Sequence, residues 1–173
     1  MSVTIRLRRE EDIPDLAGIL VRVHELDGYP VEGVADPEAW LRHDHELQSW
    51  TALNSDEPVG QITLTRADPN DEAAQLWQER TGGAIGRLAI PARLFIDPRR
   101  RRIGAGGLLM NTAVDYARSQ DLAIAFDVML KDQAAIRLYE SLGAVRIAYT
   151  EHRHSAGRTE PAAVYAISKP MKQ

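Results

Sequence analysis

One stretch constrains the fold more than any other: Arg93-Leu94-Phe95-Ile96, then Asp97-Pro98-Arg99-Arg100-Arg101-Arg102-Ile103-Gly104-Ala105-Gly106-Gly107, then Leu108-Leu109. The first four residues read as the end of a buried strand, and Leu108 to Ser119 reads as an amphipathic helix. Strand, Gly-rich basic turn and helix together make a device for holding phosphate. The turn aims backbone N–H groups at one point, and the helix N-terminus adds the positive end of its dipole. Glycines let the backbone approach a ligand with no Cβ in the way, and arginines supply attraction and charge-assisted contacts.

The rest of the composition narrows the setting of that turn. A chain of 173 residues predicts one domain spanning 1–173, long enough to bury a substantial core. The formal net charge of −4 argues against a general polyanion binder, so the four consecutive arginines need a local reason. No aromatic residue is interleaved with them as a base-stacking platform, which argues against nucleic acid. Cysteine is absent, which excludes disulfides, thiolate metal sites and a cysteine nucleophile. The N-terminus alternates like a strand instead of carrying a signal peptide's apolar run, and no stretch is apolar enough to span a membrane. A cytoplasmic protein is expected.

Periodicity and turn residues predict an α/β fold with a mixed, mostly antiparallel sheet flanked by helices. A strand over Ile5–Leu7 precedes a helix that starts at Glu10-Glu11-Asp12 with Pro14 and ends near Asp27-Gly28. A loop follows to Asp36, then a helix from Pro37 to Leu47. Trp50–Leu53 and Val59–Thr65 form a hairpin about Asn54–Pro58. Asp71–Arg80 is predicted helical and Ile85–Ile96 extended, with Pro91 marking a bulge, a bend or an interruption. Strands at Leu122–Leu130, Val145–His152 and Ala162–Ser168 and a helix at Asp132–Leu142 complete the chain, with a turn at Ser155–Arg158.

Two motifs in order carry a family resemblance. Arg101-Arg102-Ile103-Gly104-Ala105-Gly106 fits the pattern Gln or Arg, two residues, Gly, one residue, Gly or Ala. Downstream, Asp132-Gln133-Ala134-Ala135-Ile136-Arg137-Leu138-Tyr139-Glu140-Ser141-Leu142-Gly143-Ala144 fits Asn, two residues, Ala-Ile, one residue, Leu-Tyr-Glu, then Gly-Phe. The stretch from Leu94 to Ala144 thereby resembles the GNAT superfamily of N-acetyltransferases. Asp132 departs from the usual Asn, and a carboxylate cannot donate a hydrogen bond as an amide can. Ala144 departs from the usual aromatic. Met1 to Ala84 carries no specific motif.

The resemblance implies acetyl-CoA as cosubstrate and a primary amine of a small molecule or peptide as acceptor. Backbone N–H groups from Ile103 through Gly104, Ala105, Gly106 and Gly107 would hold the pyrophosphate, with Arg101 and Arg102 beside them. The pantetheine arm would lie along the backbone of Leu94 and Ile96, where an N–H polarises the thioester carbonyl as in an oxyanion hole. Asp132 and Ala135 would border the cofactor. Tyr139 matches the position that donates a proton to the departing thiolate. Asp127, Glu25, Asp27 and Glu46 are candidate bases, with Asp127 the choice. His43 and His45 lie two apart, off a common helix face, so no metal site is expected. Tyr29 is a candidate for shaping the acceptor pocket, and Trp40, Trp50 and Trp77 are expected in packing. Direct transfer in a ternary complex is the expected mechanism. A non-catalytic acyl-CoA sensor and a transferase of longer acyl groups are the rivals. A homodimer through His152 to Ala163 is a further expectation.

Overall fold

The computed structural model describes residues 2–30, 32–153 and 157–167. Seven strands form a sheet in the order β1-β2-β3-β4-β5-β7-β6. They are β1 (Val3–Leu7), β2 (Glu46–Asn54), β3 (Glu57–Arg66), β4 (Leu88–Ile96), β5 (Ala123–Met129), β6 (Val145–Arg153) and β7 (Thr159–Ile167). The helices are α1 (Ile13–Asp27), α2 (Pro37–Leu41), α3 (Glu72–Thr81), α4 (Ala105–Ser119) and α5 (Gln133–Ser141). The chain divides into two compact units, residues 1–65 with 91–113, and residues 66–90 with 114–173.

In the first unit β1 pairs antiparallel with β2, and β2 with β3 across the turn at Ser55-Asp56. Both turn residues take positive φ, as a tight hairpin requires. The apolar stripe of α1 is buried as its spacing predicts: Ile13, Leu16, Ile19, Leu20 and Val23 pack with Leu41 and Phe95. Gly28 closes α1 at φ 70°, donating its N–H to the His24 carbonyl.

The predicted helix from Pro37 to Leu47 is half right. Asp36 caps α2 by accepting from the Ala39 N–H at 3.1 Å, but Arg42 turns extended and ends it. Glu46 onward pairs with β3, beginning at Glu46↔Thr65, so strand pairing overrides local helix preference there.

In the second unit β5 and β6 both pair antiparallel with β7, and Leu88 and Ala89 of β4 pair parallel with Ala123 and Ile124. Trp77 of α3 is buried with Ala74, Leu88, Ala125 and Ala166. Gly82 ends α3 at φ 71° and Gly143 follows α5 at φ 90°. Ile85–Arg87 is a 3-10 turn, so the predicted strand begins three residues late. The conformational break inside β4 falls at Arg93, with φ 55°, and not at Pro91. Part of the predicted Ser155–Arg158 turn, and Ser168, lie outside the described residues.

Candidate active site

The basic turn lies in the first unit. β4 delivers Leu94 and Ile96 half-buried, with Phe95 between them in the core. Gln61 donates to the Arg93 carbonyl at 2.8 Å, and the Asp97 N–H donates to Val59 at 2.7 Å, which fixes the strand to its neighbour. Pro98–Arg100 makes a 3-10 turn capped by Asp97, whose carboxylate accepts from the Arg99 N–H at 3.0 Å. Arg102 at φ 66° and Gly104 at φ 82° then turn the backbone into α4.

That helix begins at Ala105, three residues before the predicted start. Leu108 donates to the Gly104 carbonyl at 3.1 Å, the first α-helical hydrogen bond. The N–H groups of Ala105, Gly106 and Gly107 precede it and have no helical carbonyl four residues back. Ala105 is buried, Gly106 and Gly107 are half-buried, and Ile103 and Gly104 are exposed. The turn therefore has the backbone geometry of an anion cradle on a four-turn helix.

Most of the arginine run is engaged within the unit. Arg99 and Arg22 each reach the buried Asp97 carboxylate at 3.0 Å. Arg100 lies 3.9 Å from Glu57, and Arg101 pairs with Asp27. Arg102 is exposed and makes no ion pair found among the described residues. Burial alone would raise the Asp97 carboxyl. Hydrogen bonds from the Arg99 side chain and N–H, then from Arg22, outweigh it and hold the group at about 2.

The other carboxylates raised as bases in this unit are occupied or peripheral: Glu46 with Arg8 at 3.1 Å, Asp27 with Arg101, and Glu25 on the surface. Tyr29 and Trp40 meet edge to face at 5.8 Å, and the Arg93 guanidinium sits 4.6 Å from the Trp40 ring centroid. His24 and His43 are tied locally, His24 to the Pro30 carbonyl at 3.0 Å and His43 Nδ1 to the His45 N–H at 3.0 Å.

The second motif lies in the second unit, on α5. Asp132 stands at its N-cap, exposed, with no side-chain capping bond, while its carbonyl accepts from Ile136 at 3.0 Å. Ala135 is half-buried. The Tyr139 ring packs edge to face on Phe126 of β5 at 4.6 Å, which restricts its orientation. Burial pushes the Tyr139 phenol above its ordinary value, and the Asp132 charge adds to the rise, so the ring holds its proton throughout the neutral range. Ala144, where the family has an aromatic, is buried.

Asp127 projects from β5 and makes a contact that sequence alone did not reveal. His152 Nδ1, on β6, lies 2.8 Å from Asp127 Oδ2. Both residues line a cavity of about 280 Å³ together with Asp71 and Thr150. Burial pushes the Asp71 carboxyl up against the lowering bond from the Ala73 N–H, and the Asp127 charge raises it further. His152 belongs to no motif, and only the folding of its hairpin brings it to Asp127.

Solved structures of N-acetyltransferases share this fold. The ribosomal-protein-S18-alanine N-acetyltransferase of Escherichia coli is 19% identical, with 99% of this chain and 97% of that chain covered and a TM-score of 0.71. The yncA protein of Salmonella typhimurium, solved with its cofactor acetyl-CoA, is 15% identical, with 99% and 96% covered and a TM-score of 0.75. NAA60 of Arabidopsis thaliana, solved with acetyl-CoA, is 17% identical, with 96% and 98% covered and a TM-score of 0.68. At these identities the likeness establishes the fold. No curated protein matches the sequence. The sequence model of the Acetyltransferase (GNAT) family matches residues 13–144, a span that takes in both the turn before α4 and the whole of α5, and the chain belongs to that family.

Proposed function

We propose that this protein transfers an acetyl group from acetyl-CoA to a primary amine of a small molecule or peptide, by direct attack within a ternary complex. The observation that carries the reading is the start of α4, where three helical N–H groups follow the left-handed Gly104. Such donors satisfy an anionic pyrophosphate without a desolvated counter-charge. Ile103 to Gly107 bind through their amides, and Arg102 adds its charge. Arg101, already paired with Asp27, contributes less than its motif position suggests. Leu94 and Ile96 act through their backbones, orienting the pantetheine and meeting the charge that develops on the thioester oxygen. Asp132 and Ala135 border the cofactor.

Tyr139 supplies the proton that the departing sulfur takes up; a half-buried phenol whose pKa is raised keeps its proton and suits that role. Asp127 handles the proton that the amine must lose before attack. With no cysteine in the chain, no thiol is available for an acyl-enzyme route. Much of the acceleration then comes from holding donor and acceptor in line.

A thiol-release assay with acetyl-CoA and a panel of primary amines tests the reading. Free CoA should accumulate in step with acetylated amine, and Tyr139→Phe should lower kcat about tenfold or more. Tight CoA binding with no turnover on any amine would instead favour a sensor, as the Asp132 departure from the motif allows.

A further inference from the structure

The first unit pairs almost all of its arginines with carboxylates. Arg6, Arg8, Arg22, Arg99 and Arg101 each meet one, and among the described residues only Arg93 and Arg102 of this unit do not. Arg102 is exposed on the turn already assigned to the pyrophosphate. Arg93 is half-buried on β4, where a cation without a counter-charge costs stability. Burial pulls its pKa below the ordinary value, and the charges of Tyr29, Glu32 and Asp44 act against that fall without cancelling it. A ligand of opposite charge relieves such a cost.

The setting of the side chain specifies the ligand. Nη1 donates to the Trp40 carbonyl, and the guanidinium lies over the Trp40 ring, 4.6 Å from its centroid. Trp40 is held in turn: its indole N–H donates to Glu32 at 2.6 Å, and its ring meets Tyr29 at 5.8 Å. At the backbone, the Arg93 carbonyl accepts from Gln61 and Gln61 accepts from Arg8, both at 2.8 Å. The guanidinium is thus fixed at both ends, so little rotamer freedom is lost when a ligand binds.

With Nη1 engaged, the edge made by Nε and Nη2 remains. Neither atom has a hydrogen-bond partner among the described residues, and neither is sealed from water. Arg99 shows what this edge takes: its Nε and Nη2 hold the two oxygens of Asp97 at 3.2 and 3.0 Å. Two parallel N–H groups match the two oxygens of a carboxylate.

We propose that Arg93 binds a carboxylate carried by the acceptor, so that the amine acetylated here belongs to an amino acid or a molecule of that build. The assignment rests on the acetyl-transfer reading above, in which the backbone of Leu94 meets the thioester. Arg93 precedes Leu94 in the strand, with successive Cα atoms about 3.8 Å apart. One short segment of β4, inside one compact unit, therefore supplies the backbone for the donor and the cation for the acceptor. An amine and a carboxylate joined by a few atoms suit that closeness, whereas a polyamine meets like charge at Arg93. The carboxylate takes no part in the bond changes and leaves unaltered on the N-acetyl product. Arg93 acts through binding, so its effect belongs in the KM of the acceptor.

The test uses the full chain with acetyl-CoA and a panel of amino acids, each paired with its carboxamide, which keeps the side chain and removes the negative charge. The readout is the ratio of kcat/KM for acid over amide. Arg93→Gln should lower that ratio about ten- to hundredfold through the acceptor KM, with the KM for acetyl-CoA unchanged. Acid and amide differ in amine basicity, but equally for both enzymes, so the change in ratio isolates the guanidinium. Arg93→Lys keeps a cation beside Trp40 and should retain the thermal midpoint, yet lose several-fold in the ratio because an ammonium has no planar fork. A wild-type ratio in either variant, or a loss that falls on the KM for acetyl-CoA, overturns the assignment while acetyl transfer stands. So does a wild-type protein that acetylates putrescine or a C-terminally amidated peptide and no amino acid. A wild-type protein that binds CoA and turns over no amine overturns both readings.

Discussion

Asp12 and Asp97 are the two buried carboxylates whose ionisation the first unit depends on. Burial would raise Asp12, but hydrogen bonds from Arg6, the Arg9 N–H and Thr51 hold it at about 2, as Arg99 and Arg22 do for Asp97. A folded-state value below the ordinary 3.8 means that stability is fully present above pH 3.8 and is lost as pH falls toward 2. Each group contributes roughly 2 kcal/mol by that linkage. Urea unfolding between pH 5 and pH 2 should therefore show a steep loss of stability, and Asp97→Asn should flatten part of it. At this scale the sequence showed four arginines in a row and no way to sort them. The structure assigns Arg99 to a partner two residues back and Arg101 to one seventy-four residues back in the chain. The first pairing is local, but nothing in a linear pattern reports the second.

Among elements, the close approach of β3 and β4 is set by a residue without a side chain. A Cβ on Gly60 would lie 2.5 Å from the Phe95 carbonyl oxygen and 2.6 Å from the Ile96 side chain. Backbone cannot yield as a flexible side chain can, so Gly60→Ala should destabilise the protein by about 1–3 kcal/mol, read by chemical denaturation. Because β4 carries Leu94 and Ile96, the same variant should also weaken CoA binding. Helices were legible where an apolar stripe met clear caps, as in α1 with Pro14 and Gly28. The Pro37–Leu47 prediction failed because a capped start says nothing about length. Pairing of Glu46 with Thr65, remote in sequence, ended the helix early.

For the whole molecule, the proposed cosubstrate makes a thermodynamic prediction. A ligand that binds only the native state stabilises it by about 2.7 kcal/mol at a hundred times its Kd. For a chain of this length that corresponds to a rise in Tm of about 5–10 °C. Differential scanning fluorimetry with acetyl-CoA and with free CoA checks it, and an unchanged Tm at millimolar CoA would count against the pyrophosphate cradle. By itself the sequence determined the mixed α/β class, the family and the glycine-rich turn that leads into α4. Those follow from local patterns: apolar periodicity, glycines where the backbone must turn left-handed, and two motifs whose backbone geometry is set within a few residues. The tertiary structure decided which arginines are engaged within the chain, where β2 begins, and that His152 meets Asp127. Such contacts join residues from 2 to 75 positions apart, and the longer ones exist only once sheet register and hairpin curl bring the side chains together, which no local pattern encodes.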